Sequence, residues 1–200
     1  MVPLDRFTVV LDSCTLFPMF TRDVLLTLAE HEFFNPKWSP RIREEWTRNL
    51  LARMQERSLD SDNQERVERI RAAMDAAFPD AIVVADLPEP TTLGPVDPKD
   101  RHVVVTAIAA RADAIVTFNV ADFAATHLQE HLQIEVIHPD AFVMDLVELN
   151  EKRAVAAFRD LRARKKKPAW DLAELIRRAQ GAGLTQTAQW LSNPDVAELL

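Results

Sequence analysis

Short apolar runs alternate with longer amphipathic stretches along the first three quarters of the chain. Residues 7–11 form a mainly apolar, β-branched run, the pattern of a strand covered on both faces of a parallel sheet. Residues 22–32 place Val24, Leu25 and Leu28 at helical spacing. Asn35-Pro36 reads as a break. Ser39-Pro40 then supplies a helix cap with proline at the first helical position. That helix is predicted to run to about residue 56, with Ile42, Trp46, Leu50 and Met54 on one stripe. A second charged amphipathic helix follows over 64–78, stopped by Pro79, and residues 81–85 read as another buried strand.

Residues 86–99 form a proline-punctuated loop, the kind of segment that lies at the surface and carries function. The pattern then predicts a helix over 98–112, a strand over 114–118, a short helix over 122–132, a strand over 134–137 and a helix over 139–149. Strands alternating with helices imply an α/β fold, a central parallel sheet flanked by helices in three layers. Beyond residue 149 there are no strand signals. Residues 150–166, 171–180 and 184–191 read as short helices, broken near Pro168, Gly181-Ala182-Gly183 and Pro194. The expected division is a domain over 1–149 and a small helical subdomain over 150–200.

Composition narrows the function. Among the 200 residues, 48% are hydrophobic, enough for a sizeable core, yet no apolar run is long enough to span a bilayer. The N-terminal residues lack the apolar core of a signal peptide, so the chain reads as cytoplasmic and without membrane partners. The lone cysteine, Cys14, excludes a disulfide framework and a thiolate zinc cluster. The three glycines are Gly94, Gly181 and Gly183, so no glycine-rich phosphate loop can form at the first strand–helix turn. The net charge of −7 argues against a protein that simply coats nucleic acid. It is unevenly spread. Residues 148–200 hold ten Lys and Arg against seven Asp and Glu, whereas the first 147 residues hold 14 against 24.

In an open parallel sheet, ligands bind beyond the carboxyl ends of the strands. Asp12 follows the first strand. Asn119, and then Asp122, follow the strand over 114–118. Asp100 lies in the first turn of the helix leading into that strand, and Glu45 in the early turns of the Ser39-capped helix. Singly, each has a structural explanation as a cap, a helix-dipole partner or a solvated position. Together they suggest one acidic cleft. Two carboxylates at about 4 Å repel by roughly 4 kcal/mol at an effective dielectric of about 20, so a cluster calls for a cation. Oxygen-only ligands select Mg²⁺ or Mn²⁺, whose use in such sites is phosphodiester hydrolysis.

These residues, in this order, resemble a PIN domain. Val9-Val10-Leu11-Asp12-Ser13 is similar to the family's opening strand and first acid. Ser39-x-x-Ile42-x-Glu44-Glu45-Trp46 resembles the second motif, Asp97-Pro98-Lys99-Asp100-Arg101-His102 the third, and Val116-Thr117-Phe118-Asn119-Val120-Ala121-Asp122-Phe123 the fourth. Many members carry Asp where this chain has Asn119. One branch has the Thr-x-Asn-x-x-Asp-Phe form instead, which leaves Asn119 and Asp122 as alternative fourth site residues. The resemblance covers about residues 7–149, and the tail resembles the helical extension of one VapC subgroup. It implies a Mg²⁺- or Mn²⁺-dependent ribonuclease acting on single-stranded RNA. Asp12, Glu45, Asp100 and Asp122 are the implied metal-binding and catalytic acids, with Ser13, Thr117 and Asn119 as supporting polar groups. It also implies a VapB-like antitoxin and a homodimer. A housekeeping PIN nuclease and a catalytically inactive RNA- or protein-binding scaffold are the alternatives.

Other signals weigh less. His127 and His131 stand four apart on a helix, but the glutamate of a zincin pattern is replaced by Leu128. Cys14 has no evident base partner and reads as a small buried residue. Lys165, Lys166 and Lys167, followed by Trp170, are candidate RNA contacts that combine phosphate charge with a base-stacking ring.

Overall fold

The computed structural model describes residues 7–57, 62–84 and 90–200. Four short parallel strands, β1 (Thr8–Leu11), β2 (Asn35–Lys37), β3 (Ala114–Val116) and β4 (Glu135–Ile137), form a sheet in the order β2-β1-β3-β4. The two central strands are the most apolar. Val9, Val10, Leu11, Ala114, Ile115 and Val116 are all fully buried, as strands covered on both faces must be. Register sets Leu11 opposite Val116, and Val116 opposite Ile137.

Helices flank this sheet. They are α1 (Ser13–Leu16), α2 (Met19–Glu30), α3 (Pro40–Arg57), α4 (Asn63–Ala77), α5 (Arg101–Ala110), α6 (Ala125–Leu132) and α7 (Pro139–Leu149). The helix α5 packs on β1 and β3, α2 on β2, and α6 on β4. Ser39 caps α3 as its sequence suggests, its hydroxyl accepting from Ile42 N at 3.2 Å.

Three expectations change. Asn35-Pro36-Lys37 is a strand rather than a break: Pro36 pairs with Val9, and the proline's missing donor is tolerated in so short a ladder. The run at 81–85 does not form a strand among the described residues. It contributes a single parallel bridge, Ile82 to Trp38, while Ala85 lies outside the described residues. Asp122 does not start a helix either. It lies in a 3-10 turn (Val120–Phe123), and α6 begins only at Ala125.

The tail holds α8 (Glu151–Arg164), α9 (Leu172–Gly181), α10 (Thr185–Leu191) and α11 (Pro194–Ala197). Its buried Ala154, Phe158, Leu161, Leu175 and Leu191 join the same apolar core as the sheet. The helix α8 lies along α2, where Arg164 pairs with Glu30 at 2.6 Å, His31 with Asp160 at 2.8 Å, and Lys165 with Asp23. The helix α10 lies on α7 through Asp140. That buried carboxylate accepts from Gln186 N (2.8 Å), Thr187 N (2.9 Å), Thr187 Oγ1 (2.8 Å) and Thr185 Oγ1 (3.3 Å), capping α10 from 45 residues away. These bonds hold the Asp140 carboxyl below its ordinary range despite the opposing effect of burial.

Candidate functional site

The first acid is fixed by both central strands. Asp12 follows β1 directly, is 3% exposed, and its backbone N–H donates to Val116 O at 3.1 Å. Thr117 donates its hydroxyl to Asp12 Oδ2 at 2.7 Å, and the Cys14 thiol donates to the same oxygen at 3.0 Å. Thr117 in turn accepts from Asn119 N at 3.1 Å. Ser13 opens α1 next to Asp12, and Arg22 donates to Leu16 O at 2.8 Å, which secures the carboxyl end of that short helix. Burial, and then the charge of Asp12, push the Cys14 thiol up to about 12. Cys14 is therefore a neutral donor that orients a carboxylate, more than the packing residue its type suggests, and not a nucleophile.

The other acids approach the same space from separate elements. Burial, followed by the charges of Asp12, Asp122, Asp97 and Glu45, raises the Asp100 carboxyl to about 6. The other three acids singled out in the sequence, with Asp97 as an addition, are thus within electrostatic reach of Asp100. The turn after β3 is tied to the loop before α5 by Asp97 N donating to Asp122 O at 2.9 Å, which draws those two segments together. Asp97 Oδ1 accepts from Lys99 N at 2.9 Å, a local turn bond. Neither Asp12, Asp100 nor Asp122 uses its side chain as a cap on its own helix or turn. Asn119 and Asp122 are both exposed, on either side of the same turn.

Glu45, half-buried on α3, is held by Arg41 and faced by His102. Arg41 Nε donates to its Oε1 at 3.3 Å, and His102 Nε2 lies 3.2 Å from its Oε2. The second contact is within ion-pair range but off the hydrogen-bond direction, and His102 Nε2 has no hydrogen-bond partner among the described residues. The other ring nitrogen of His102, Nδ1, is 2.7 Å from Lys99 O, and since a carbonyl only accepts, Nδ1 carries a proton. Sequence reasoning missed Asp97, Arg41 and His102 as parts of this site. The Arg41–Glu45 spacing of four was a readable signal, and Asp97 and His102 lay inside the quoted third motif.

Among the described residues, no three His, Cys, Asp or Glu side chains are drawn together tightly enough to hold a metal ion. Like charges facing one cleft stay apart by their own repulsion. The donor set is nevertheless carboxylate oxygen, with one oxygen of Asp12 anchored, and that chemistry fits a hard divalent cation. His127 donates to Thr92 O at 2.7 Å and its ring stacks on that of His131, a packing role.

The basic candidates in the tail separate. Lys166 and Lys167 are exposed, whereas Lys165 is paired with Asp23. Trp170 is not available for base stacking: it is 7% exposed, with Lys165 Nζ 5.0 Å and Arg178 Cζ 4.3 Å from its ring and Phe20 at 6.0 Å. Its ring is built into the junction between the tail and α2.

Comparison with known proteins agrees with this architecture. Residues 8–121 match the PIN domain model, and residues 139–193 match a model described as the VapC50 C-terminal domain. A Mycobacterium tuberculosis protein named "Putative ribonuclease VapC50" is 41% identical over 58 residues, a stretch covering 29% of this chain and 34% of that protein. No solved structure matches. The matched PIN region spans more than half of the chain and contains β1 to β3 with Asp12, Glu45, Asp97 and Asp100, so the chain belongs to the PIN-domain family and carries behind it a segment similar to the VapC50 C-terminal domain.

Proposed function

We propose that the chain is a metal-dependent endoribonuclease that hydrolyses RNA phosphodiester bonds in the carboxylate cleft, as the toxin of a toxin–antitoxin pair. The observation that carries this reading is the gathering of Asp12, Glu45, Asp97 and Asp122 around Asp100, whose carboxyl is raised to about 6 by burial first and by those charges after it. Family membership and the partial likeness to a protein named as a VapC50 ribonuclease support it.

In this reading Asp12, Glu45, Asp100 and Asp122 hold Mg²⁺ or Mn²⁺, which, when bound, supplies Lewis acidity toward the phosphodiester. The chain's own residues do the positioning. Thr117 and Cys14 fix one oxygen of Asp12 and leave the other without a hydrogen bond from either of them. Arg41 restrains Glu45, with His102 beside it. Asn119 offers an uncharged amide at the rim, suited to orienting water. A VapB-like antitoxin, a homodimeric assembly and a cytoplasmic setting complete the proposal. Among the described residues no helix is long and apolar enough to cross a membrane. By role, residues 1–149 form the nuclease unit and 150–200 a helical subdomain docked on α2.

One observation favours a second reading, a catalytically inactive scaffold: Asn119 stands where many PIN domains carry Asp. Incubation of the purified chain with total RNA and Mn²⁺, followed by mapping of new ends, separates the two. Cleavage abolished by Asp12→Asn supports the nuclease, and intact RNA under all divalent ions overturns it. A neighbouring reading frame for a DNA-binding antitoxin distinguishes the toxin from a housekeeping nuclease.

A further inference from the structure

We propose that the end of α8 forms a phosphate-binding subsite, built from Arg159, Arg162 and Lys166, that grips the RNA strand beside the cleft. The inference rests on the nuclease reading for the identity of the polyanion, but its geometry is independent of it. An open cavity of about 620 Å³ lies against the last turns of α8 and the segment leading to Trp170. Arg159, Arg162, Lys165 and Lys166 line it, together with Asp160 and Leu200.

Ion pairing sorts these charges into two groups. Asp160 is engaged by His31 at 2.8 Å, Lys165 by Asp23, and the adjacent Arg164 by Glu30 at 2.6 Å. Those pairs clamp α8 onto α2. Arg159, Arg162 and Lys166 have no acidic partner among the described residues, and Arg159 and Lys166 are exposed. Arg159 and Arg162 are three apart on the helix, so their side chains are neighbours on one face, about 5–6 Å apart at Cβ. The arrangement is a rigid support presenting three uncompensated cations on a chain whose net charge is −7. A polyanion approaching this molecule is repelled by most of its surface and drawn to this groove.

The groove also lies near the start of α2, the helix that soon follows β1 and Asp12 in the chain. Lys165 meets the first turns of α2 at Asp23, and Phe20 in the same turns meets Trp170 at 6.0 Å. Phe20 is eight residues from Asp12, so their Cα atoms are separated by at most about 28 Å. One single strand can therefore occupy groove and cleft together, since single-strand sites commonly take about 4–16 nucleotides. With both faces of Trp170 covered, the grip works through phosphate charge and not through bases.

The test uses the full chain carrying Asp12→Asn, so that RNA stays intact, and a labelled single-stranded oligouridine without divalent ions. Binding is followed by anisotropy across a salt series. Each phosphate contact contributes about 0.7 to the log–log salt slope on single strands, so Arg159→Gln, Arg162→Gln and Lys166→Gln together should lower that slope by about 2. Affinity should fall tenfold or more, equally for oligouridine and oligoadenosine. Arg66→Gln, Arg69→Gln and Arg71→Gln on α4 change net charge equally and should leave the slope unaltered. An unchanged slope in the groove variant, or an equal fall in the α4 control, overturns the subsite. Competition by polyglutamate with no change of the RNA slope overturns it in favour of a protein ligand. Cleavage by the unsubstituted chain is scored separately: a lowered slope without Mn²⁺-dependent cleavage keeps the subsite and removes the nuclease, whereas cleavage with an unchanged slope does the reverse.

Discussion

Replacing Asp140 with Ala removes one buried carboxylate and strands the start of a helix 45 residues away. Four donors converge on that carboxylate, two of them the backbone N–H groups of Gln186 and Thr187. The hydroxyls of Thr185 and Thr187 can rotate toward other acceptors, but the backbone donors cannot. Each donor left buried and unpaired costs about 1–3 kcal/mol, so Asp140→Ala should destabilise the chain by about 3–5 kcal/mol at neutral pH. Against a total stability of about 5–15 kcal/mol this is a large fraction. Asp140→Asn retains one accepting oxygen but turns an amide NH₂ toward a donor, and should lose about half as much. Urea unfolding reads the effect as a shift of midpoint at constant slope, and hydrogen exchange should show faster amides at Gln186 and Thr187 before the sheet is affected. The pH dependence is a further check. Because the folded carboxyl is held below its ordinary value, its contribution is fully present above about pH 4 and is lost as pH falls through the lowered folded value. The unsubstituted chain and Asp140→Ala should therefore converge in acid. A loss under about 1 kcal/mol at neutral pH, or a difference that persists unchanged in acid, refutes the capping argument.

Three further outcomes follow from the same geometry. Asp12→Asn should fold, since its amide oxygen can still accept from Thr117, yet reduce Mn²⁺-dependent RNA cleavage by orders of magnitude; full cleavage by that variant, measured on labelled RNA, sinks the assignment of the cleft. Asp122→Asn should keep its melting temperature, because Asp122 makes no side-chain cap, while Mn²⁺ affinity falls; Asn119→Asp should match or tighten that affinity by calorimetry. Mn²⁺ at about 100 times its Kd should stabilise the chain by about 2.7 kcal/mol, and near pH 5.5 its binding should release protons as Asp100, held up to about 6, ionises; chelation that leaves the melting curve unmoved excludes a bound cation.

The parts of the fold legible in the sequence are those whose signal is local. The runs at β1 and β3 are apolar because both faces are covered, and nothing else in the chain needs that pattern. The strand β2 was hidden because Asn35-Pro36-Lys37 has no strand chemistry of its own; pairing with β1 imposes its conformation. The opposite happened at 81–85, where an apolar run meets its neighbour through one bridge. Asp12 and Asp122 stood out because position after a strand is itself a signal, whereas Asp97 was missed. His102 and Asp140 were not, since what defines each is a partner on another element: Glu45 on α3 in one case, the start of α10 in the other. Trp170 misled for the same reason, its covered faces being a property of packing against Lys165, Arg178 and Phe20.

The hydrogen bond from Thr117 to Asp12 ties the chemistry of the cleft to the order of assembly. Leu11 and Val116 are partners in the β1–β3 ladder, and Asp12 and Thr117 are simply the next step along it. A chain that pairs these strands one residue out of place presents Asp12 with a different neighbour, and a buried carboxylate without its donors costs several kcal/mol. The acid that hydrolysis would need thus also proofreads the sheet. Misregistered chains carry their own penalty, and a working cleft exists only in molecules whose central strands have already met correctly.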